Sequence, residues 1–204
     1  MRSTITLAAL ALAAMATPVA AQDPADVPTP RGTYLVYADE QGSAFASYEP
    51  SLAGTEVWPL SFFYYQAGAL VGTARIAANA DCAQGLVRGR LTHATGADGN
   101  MMDIPQSEDT PLFSFDRAGG GGDEALVGFI CGSGQDRLVQ AETPIFATPL
   151  VTAQRYAGLR ALGIDNRLAR SLAIRDRRTA DPLIDTAVPE SLRAQVRSLL
   201  DGSN

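Results

Sequence analysis

From residue 32 to about 134, short apolar runs alternate with clusters of Gly, Asp, Asn and Pro, the rhythm of antiparallel strands joined by turns. The runs predict strands over 33–38, 44–48, 56–65, 70–81, 86–94, 111–115 and 125–131. After Thr148 the spacing turns helical. Thr148-Pro149 supplies a cap and a first-turn proline, and Tyr156, Leu159 and Leu162 recur before Gly163. A second helix starts at Asp165 as N-cap and carries Leu168 and Leu172. A third runs from Pro189, with Leu192, Val196, Leu199 and Leu200 in one stripe. Helices this short are marginal alone, so they pack on one another, on the sheet or on a partner. The expected fold class is α+β: an antiparallel β-sheet domain with one disulfide, followed by a C-terminal segment of short helices.

The chain begins Met1-Arg2, continues into an apolar run over 5–16, and reaches the small residues Val19-Ala20-Ala21 before Gln22. A charged start, a hydrophobic middle and a small-residue end read as a secretory signal cleaved after Ala21, with cleavage after Ala20, or a retained amphipathic or anchoring helix, as the alternatives. The apolar run is too short to span a bilayer, and no later stretch reaches the length of a transmembrane helix. Residues 1–21 are therefore assigned as signal peptide and 22–31, with Pro24, Pro28 and Pro30, as a proline-rich linker. The β domain follows over 32–140 and the helical segment over 141–204. The expected location is periplasmic or secreted.

Export changes what two cysteines mean, because an oxidising compartment favours a disulfide. Cys82 and Cys131 are the only pair. By side-chain parity Leu70, Ala74, Ile76, Ala78, Ala80 and Cys82 share a face, and so do Ala125, Val127, Phe129 and Cys131. Both sulfurs then point where apolar side chains point, and a buried bridge between two strands is expected. Closing a loop of 49 positions is worth roughly 4 kcal/mol on the chain-entropy model. The alternatives are two buried thiols or a redox pair, but the spacing is unlike Cys-x-x-Cys. With one histidine, two cysteines and no lysine, a zinc site of Cys and His is not expected.

Charge divides unevenly. Residues 22–150 hold six Arg against sixteen acids, a net of −10, whereas 151–204 hold nine Arg against six acids, a net of +3. The acidic part argues against nucleic acid, whose binding needs a positive field. Arg167, Arg170, Arg175, Arg177 and Arg178 offer an anion, partner or membrane-surface contact. Their bland alternative is a solvated helix face, or docking on the acidic part.

Chemistry-bearing residues are few. His93 is the one histidine, so a Ser-His-Asp or Cys-His mechanism would have to use it; parity groups it with Val87 and Leu91 on the buried side or its rim. Ser133 lies in Gly-Ser-Gly without the five-residue nucleophile elbow. Asp39/Glu40, Glu108/Asp109 and Asp123/Glu124 are adjacent acids of the kind that loops solvate. Asp98, Asn100 and Asp103 bring oxygen atoms together, but not at EF-hand spacing. The glycines at 119–122 lack a following Gly-Lys-Ser/Thr and read as a flexible connection. Across 58–65, Trp58, Leu60, Phe62 and Tyr64 take one strand face while Phe63 and Tyr65 take the other. If one face fills the core, the other presents Phe63 and Tyr65 as candidate partner-binding residues, unless the C-terminal helices cover them.

Tyr34-Leu-Val-Tyr-Ala-Asp39, the strand ending Ala80-Asp81-Cys82, Arg88 and Arg90 soon after, and the closing Phe129-Ile130-Cys131 together resemble the surface-adhesin protein E family of exported bacterial domains. The resemblance covers about half the chain. It implies a compact antiparallel domain with this cysteine pair bridged, exposed to the envelope or outside, in a family some of whose members adhere to host proteins. Residues 113–115 stand where the family has a tryptophan, and the helical segment lies outside the resemblance. The functional expectation is a non-enzymatic envelope module that recognises a protein or surface ligand, with no cofactor, no metal and no nucleic acid. The alternatives are a hydrolase using His93 or an acidic pair, and a helical partner-docking protein.

Overall fold

A computed structural model describes residues 32–48, 57–95, 100–107, 110, 112–132 and 143–202. The expected leader and linker, Asp98, Glu108, Asp109 and Ser133 lie outside the described residues. Among the described residues, seven strands form one antiparallel sheet: β1 (Gly32–Ala38), β2 (Gly42–Tyr48), β3 (Val57–Gln66), β4 (Ala69–Asp81), β5 (Leu86–Thr95), β6 (Met101–Asp103) and β7 (Leu112–Asp116). The order is β1-β2-β3-β4-β5, with β6 and β7 pairing to opposite ends of β5. Local chemistry sets the hairpins. Asp39 Oδ1 accepts from the amides of Gln41 and Gly42 in the β1–β2 turn, at 2.8 and 2.9 Å. Ala67 and Gly68, with φ of 50° and 78°, make the two-residue turn whose twist suits a hairpin between β3 and β4.

Five α-helices follow among the described residues: α1 (Gly121–Cys131), α2 (Pro149–Ala161), α3 (Asn166–Ala173), α4 (Arg177–Ala187) and α5 (Glu190–Asp201). Three start where the sequence predicts. Thr148 caps α2 through the Val151 amide, Asp165 caps α3 through Leu168, and α5 follows Pro189. Helix α2 ends with Gly163 at φ 80°, where the Gly163 and Ile164 amides return to Arg160 O and Leu159 O.

The expected strand over 125–131 is instead α1. Val127 and Phe129 are buried, which strand parity anticipates, but Leu126 and Ile130 are buried with them, and only a helix collects all four on one side. Asp123 and Glu124 sit in its first turn, where the helix dipole favours acids. Helix α4 is an element the spacing did not announce. Asp176 caps it through Thr179, and Pro182 lies inside it. Strand β6, three residues long, occupies the stretch read as an oxygen-rich turn.

The sheet is covered on both faces. On one, α1 packs Leu126, Val127, Phe129 and Ile130 against residues that include Tyr34, Leu60 and Ile76. On the other, α2–α5 pack on Leu35, Phe45, Phe63 and Tyr65. Phe63 and Tyr65 are therefore core residues, 5% and 9% exposed, and the Tyr65 hydroxyl bonds Ser43 Oγ at 2.7 Å and Ala153 O of α2 at 3.1 Å. The candidate patch is closed by the C-terminal helices, the alternative named above.

Three extra residues break strict strand parity: Val36 in β1, Val71 in β4 and Thr92 in β5. Leu70 consequently pairs with Tyr65 and packs toward the four helices, away from Ile76, with which parity grouped it. His93 pairs with Arg75 rather than continuing the row of Leu91, which opposes Ile76.

The disulfide Cys82–Cys131 is formed, with Cα atoms 5.3 Å apart. Because Cys131 is the last residue of α1, and Cys82 opens the β4–β5 turn in an exposed position, the bridge joins a helix end to a turn instead of joining two strands.

Candidate functional site

Of the five arginines proposed as an anion or partner contact, Arg170, Arg175 and Arg177 are engaged within the chain and Arg167 and Arg178 are exposed. Arg170 is half-buried and donates to Val36 O at 3.2 Å, beside Asn166, which donates to Ala38 O; together with the Ile145 amide on Thr33 O they satisfy the outer edge of β1. Arg175 donates to Ser171 O. Arg177 pairs with Asp181 at 2.9 Å and with Asp201, and Arg197 shares Asp181, so the charges lace α4 to α5. Deeper in the helical layer, Arg155 is buried and donates to Leu200 O at 2.7 Å; burial lowers its pKa.

His93 lies at the sheet edge with its side chain 36% exposed, its Nε2 3.0 Å from Asp103 Oδ1 and its Nδ1 3.0 Å from Thr92 Oγ1. The order Thr-His-Asp looks catalytic until the hydroxyl is followed further. Thr92 Oγ1 donates to Arg75 O at 3.0 Å, so its proton is already placed on a carbonyl and it is not held as a nucleophile against the ring. Of the oxygen cluster near it, Asp98 lies outside the described residues and Asp103 serves His93. Among the described residues, no group of three or more His, Cys, Asp or Glu gathers as a metal site, and no helix is long and apolar enough to cross a membrane.

Two of the troughs beside the sheet bear on the candidate site. One, about 430 Å³, lies on the four-helix face beside the start of α2, walled by Leu70, Val71 and Leu150 with Arg75 at its margin. The second, about 290 Å³, lies on the α1 face where that helix begins, and it is the better defined chemically. Its walls are Tyr37, Phe62, Tyr64 and Phe115, and Asp39 and Asp123 line it as well.

Each wall has a local cause. The extra residue at Val36 turns Tyr37 to the α1 side, opposite Ala44, and Ala44 in turn opposes Phe62. Phe62 stacks on Phe115 of β7, ring centroids 5.3 Å apart and planes within 8°. Tyr64, at the far end of β3, is 43% exposed. Helix α1 begins against Tyr37 because residue 122 is glycine: a Cβ there would stand 3.1 Å from the ring.

Asp39 organises the rim. It accepts the Tyr37 hydroxyl at 2.6 Å as well as the two turn amides. Burial works to raise its pKa, but the three hydrogen bonds outweigh it and hold the carboxyl below the ordinary range. The same bond, with burial second, pushes Tyr37 up to about 12. A charged carboxylate and a neutral phenol are thus fixed side by side. That arrangement suits holding a ligand better than donating protons to one.

Of the aromatic run, the candidate pair Phe63 and Tyr65 is covered, while its neighbours Phe62 and Tyr64 line the trough. No family model, no curated protein and no solved structure matches this chain.

Proposed function

We propose that the chain is an exported cell-envelope recognition module, periplasmic or secreted, related to the surface-adhesin protein E-like domains, that binds a surface ligand in the aromatic trough. The observation that carries this reading is the trough itself: four aromatic side chains left partly open beside a hydrogen-bonded carboxylate. Large, stiff, amphipathic rings give contact area at small entropic cost. The leader-like start and the formed disulfide support export. Catalysis by His93 has no support in its bonding, and the helices that a docking tail would offer are spent on the sheet.

The test is capture of envelope components by the oxidised protein, run beside Tyr64→Ala and Phe62→Leu. Capture that is lost in both variants while their unfolding curves stay cooperative supports the trough. Capture unchanged in both sinks it, and finding both cysteines as free thiols in protein recovered from its natural compartment sinks the location.

A further inference from the structure

We infer that the occupant of this trough is a small organic cation, an alkylated ammonium head of choline size. The inference rests on the reading of the trough as a binding site and adds the chemical class of what it holds. Tyr37, Ala44 and Phe62 stand in register on three adjacent strands, so two rings rise on either side of one methyl group. Strands lie about 4.8 Å apart, which sets the two rows roughly 10 Å apart. Ala44 is the buried floor between the rows, and a head held in the trough above it, midway between them, lies about 5 Å from each row, within the reach of cation–π attraction.

Both walls are braced before any ligand arrives. Phe62 is backed by Phe115, and Tyr37 is held between Gly122 and its bond to Asp39. Bracing removes the ordering cost that an open aromatic surface would face.

Charge selects the sign of the ligand. Asp39 and Asp123 line the trough, and no Arg side chain does. The start of α1 contributes a partial positive end of about half a charge, which two carboxylates exceed. Arg170 is near enough to act on Tyr37 and keeps its charge, but it donates to Val36 O on β1 and does not line the trough. An anion would face both carboxylates with no arginine lining the trough to offset them. The volume, about 290 Å³, suits a head group with a short tail.

The experiment titrates the oxidised protein with choline chloride and, separately, with 3,3-dimethyl-1-butanol, its uncharged isostere, at matched ionic strength, following amide NMR shifts. Choline should move the amides of Gly42 and Gly122 and bind about tenfold more tightly than the alcohol. Asp123→Asn, a first-turn change that spares the Asp39 turn, should weaken choline several-fold and leave the alcohol unmoved; Phe62→Leu should weaken both. Equal affinity for the two probes overturns the cation while leaving the trough a binding site. Choline shifts confined to acids elsewhere, or no shift from either probe, also overturn it, and the trough then stands or falls on the envelope capture alone.

Discussion

Phe62 and Phe63 are neighbours in the chain, as are Tyr64 and Tyr65, yet the two faces of the sheet treat them oppositely. On one face four helices close over Phe63 and Tyr65 and even supply a carbonyl for the phenol. On the other, among the described residues, one helix of 11 residues packs on the sheet, with Phe62 half-buried and Tyr64 exposed. A helix that long spans about 16 Å, less than a long strand, so something at the sheet's end stays uncovered. The difference teaches that the residue type did not decide exposure here; the length of the covering layer did. It also separates two ways of holding a layer down: α1 is bolted by a disulfide, whereas α2–α5 are held by packing, by the Arg177–Asp181–Arg197 network and by Arg155.

The comparison breaks most visibly in the core. Phe63→Ala should cost about 3–5 kcal/mol of unfolding free energy, and Phe62→Ala about 1–2 kcal/mol, measured by urea denaturation. Equal costs would mean that the α1 face is as closed as the other. Removing the bridge with Cys82→Ala and Cys131→Ala should cost about 2–4 kcal/mol. Its local signature is sharper than its size: amide exchange in α1 should quicken more than in α2. Similar quickening in both helices would show that the disulfide holds the whole domain and not one layer.

Much of this was legible in the chain because it is local. Six strands, the caps at Thr148 and Asp165, and the stripe on α5 follow from patterns within a dozen residues. Three failures have local causes of different kinds. Val127 and Phe129 suit a strand face as well as a helix face, and only the burial of Leu126 and Ile130 decides. Leu70 and His93 sit beyond a bulge, where a single unpaired residue reverses every later assignment. Pro182 disguises α4, although Asp176 and Thr179 mark its start. The trough is a different matter. Tyr37, Phe62 and Phe115 come from β1, β3 and β7, and nothing in the sequence brings them together before the register and the bulge at Val36 are known.

Hydroxyl deletion gives a smaller contrast. Tyr65→Phe removes bonds to Ser43 and Ala153 in the interior and should cost about 1–2 kcal/mol, while Tyr64→Phe, at an open strand end, should stay within about 0.5 kcal/mol. A Tyr64→Phe cost as large as that of Tyr65→Phe, by urea denaturation, would place both phenols in equivalent surroundings and erase the asymmetry.

The smallest effect is read in alkali, and it distinguishes the faces by cause. Tyr37, on the α1 side, is raised from 10.0 to about 12 first by its hydrogen bond to Asp39 and then by burial. Tyr65, on the other side, is raised first by burial, against a lowering by Ser43, and lies higher still. A folded pKa above the unfolded value means that the folded state holds its proton more tightly, so each phenol's contribution to stability is complete below pH 10 and is lost as pH rises through the folded value. In a titration of phenolate absorbance, Asp39→Asn should bring Tyr37 down toward 10.0, because the charge that held its proton is gone, and Tyr37→Phe should identify the band that moves. Tyr65 should be indifferent to Asp39→Asn apart from a weak long-range effect, and should ionise only as the helical layer opens. Were Tyr37 unmoved by Asp39→Asn, burial alone would be holding it, and the rim of the trough would be as dry as the core beneath the four helices.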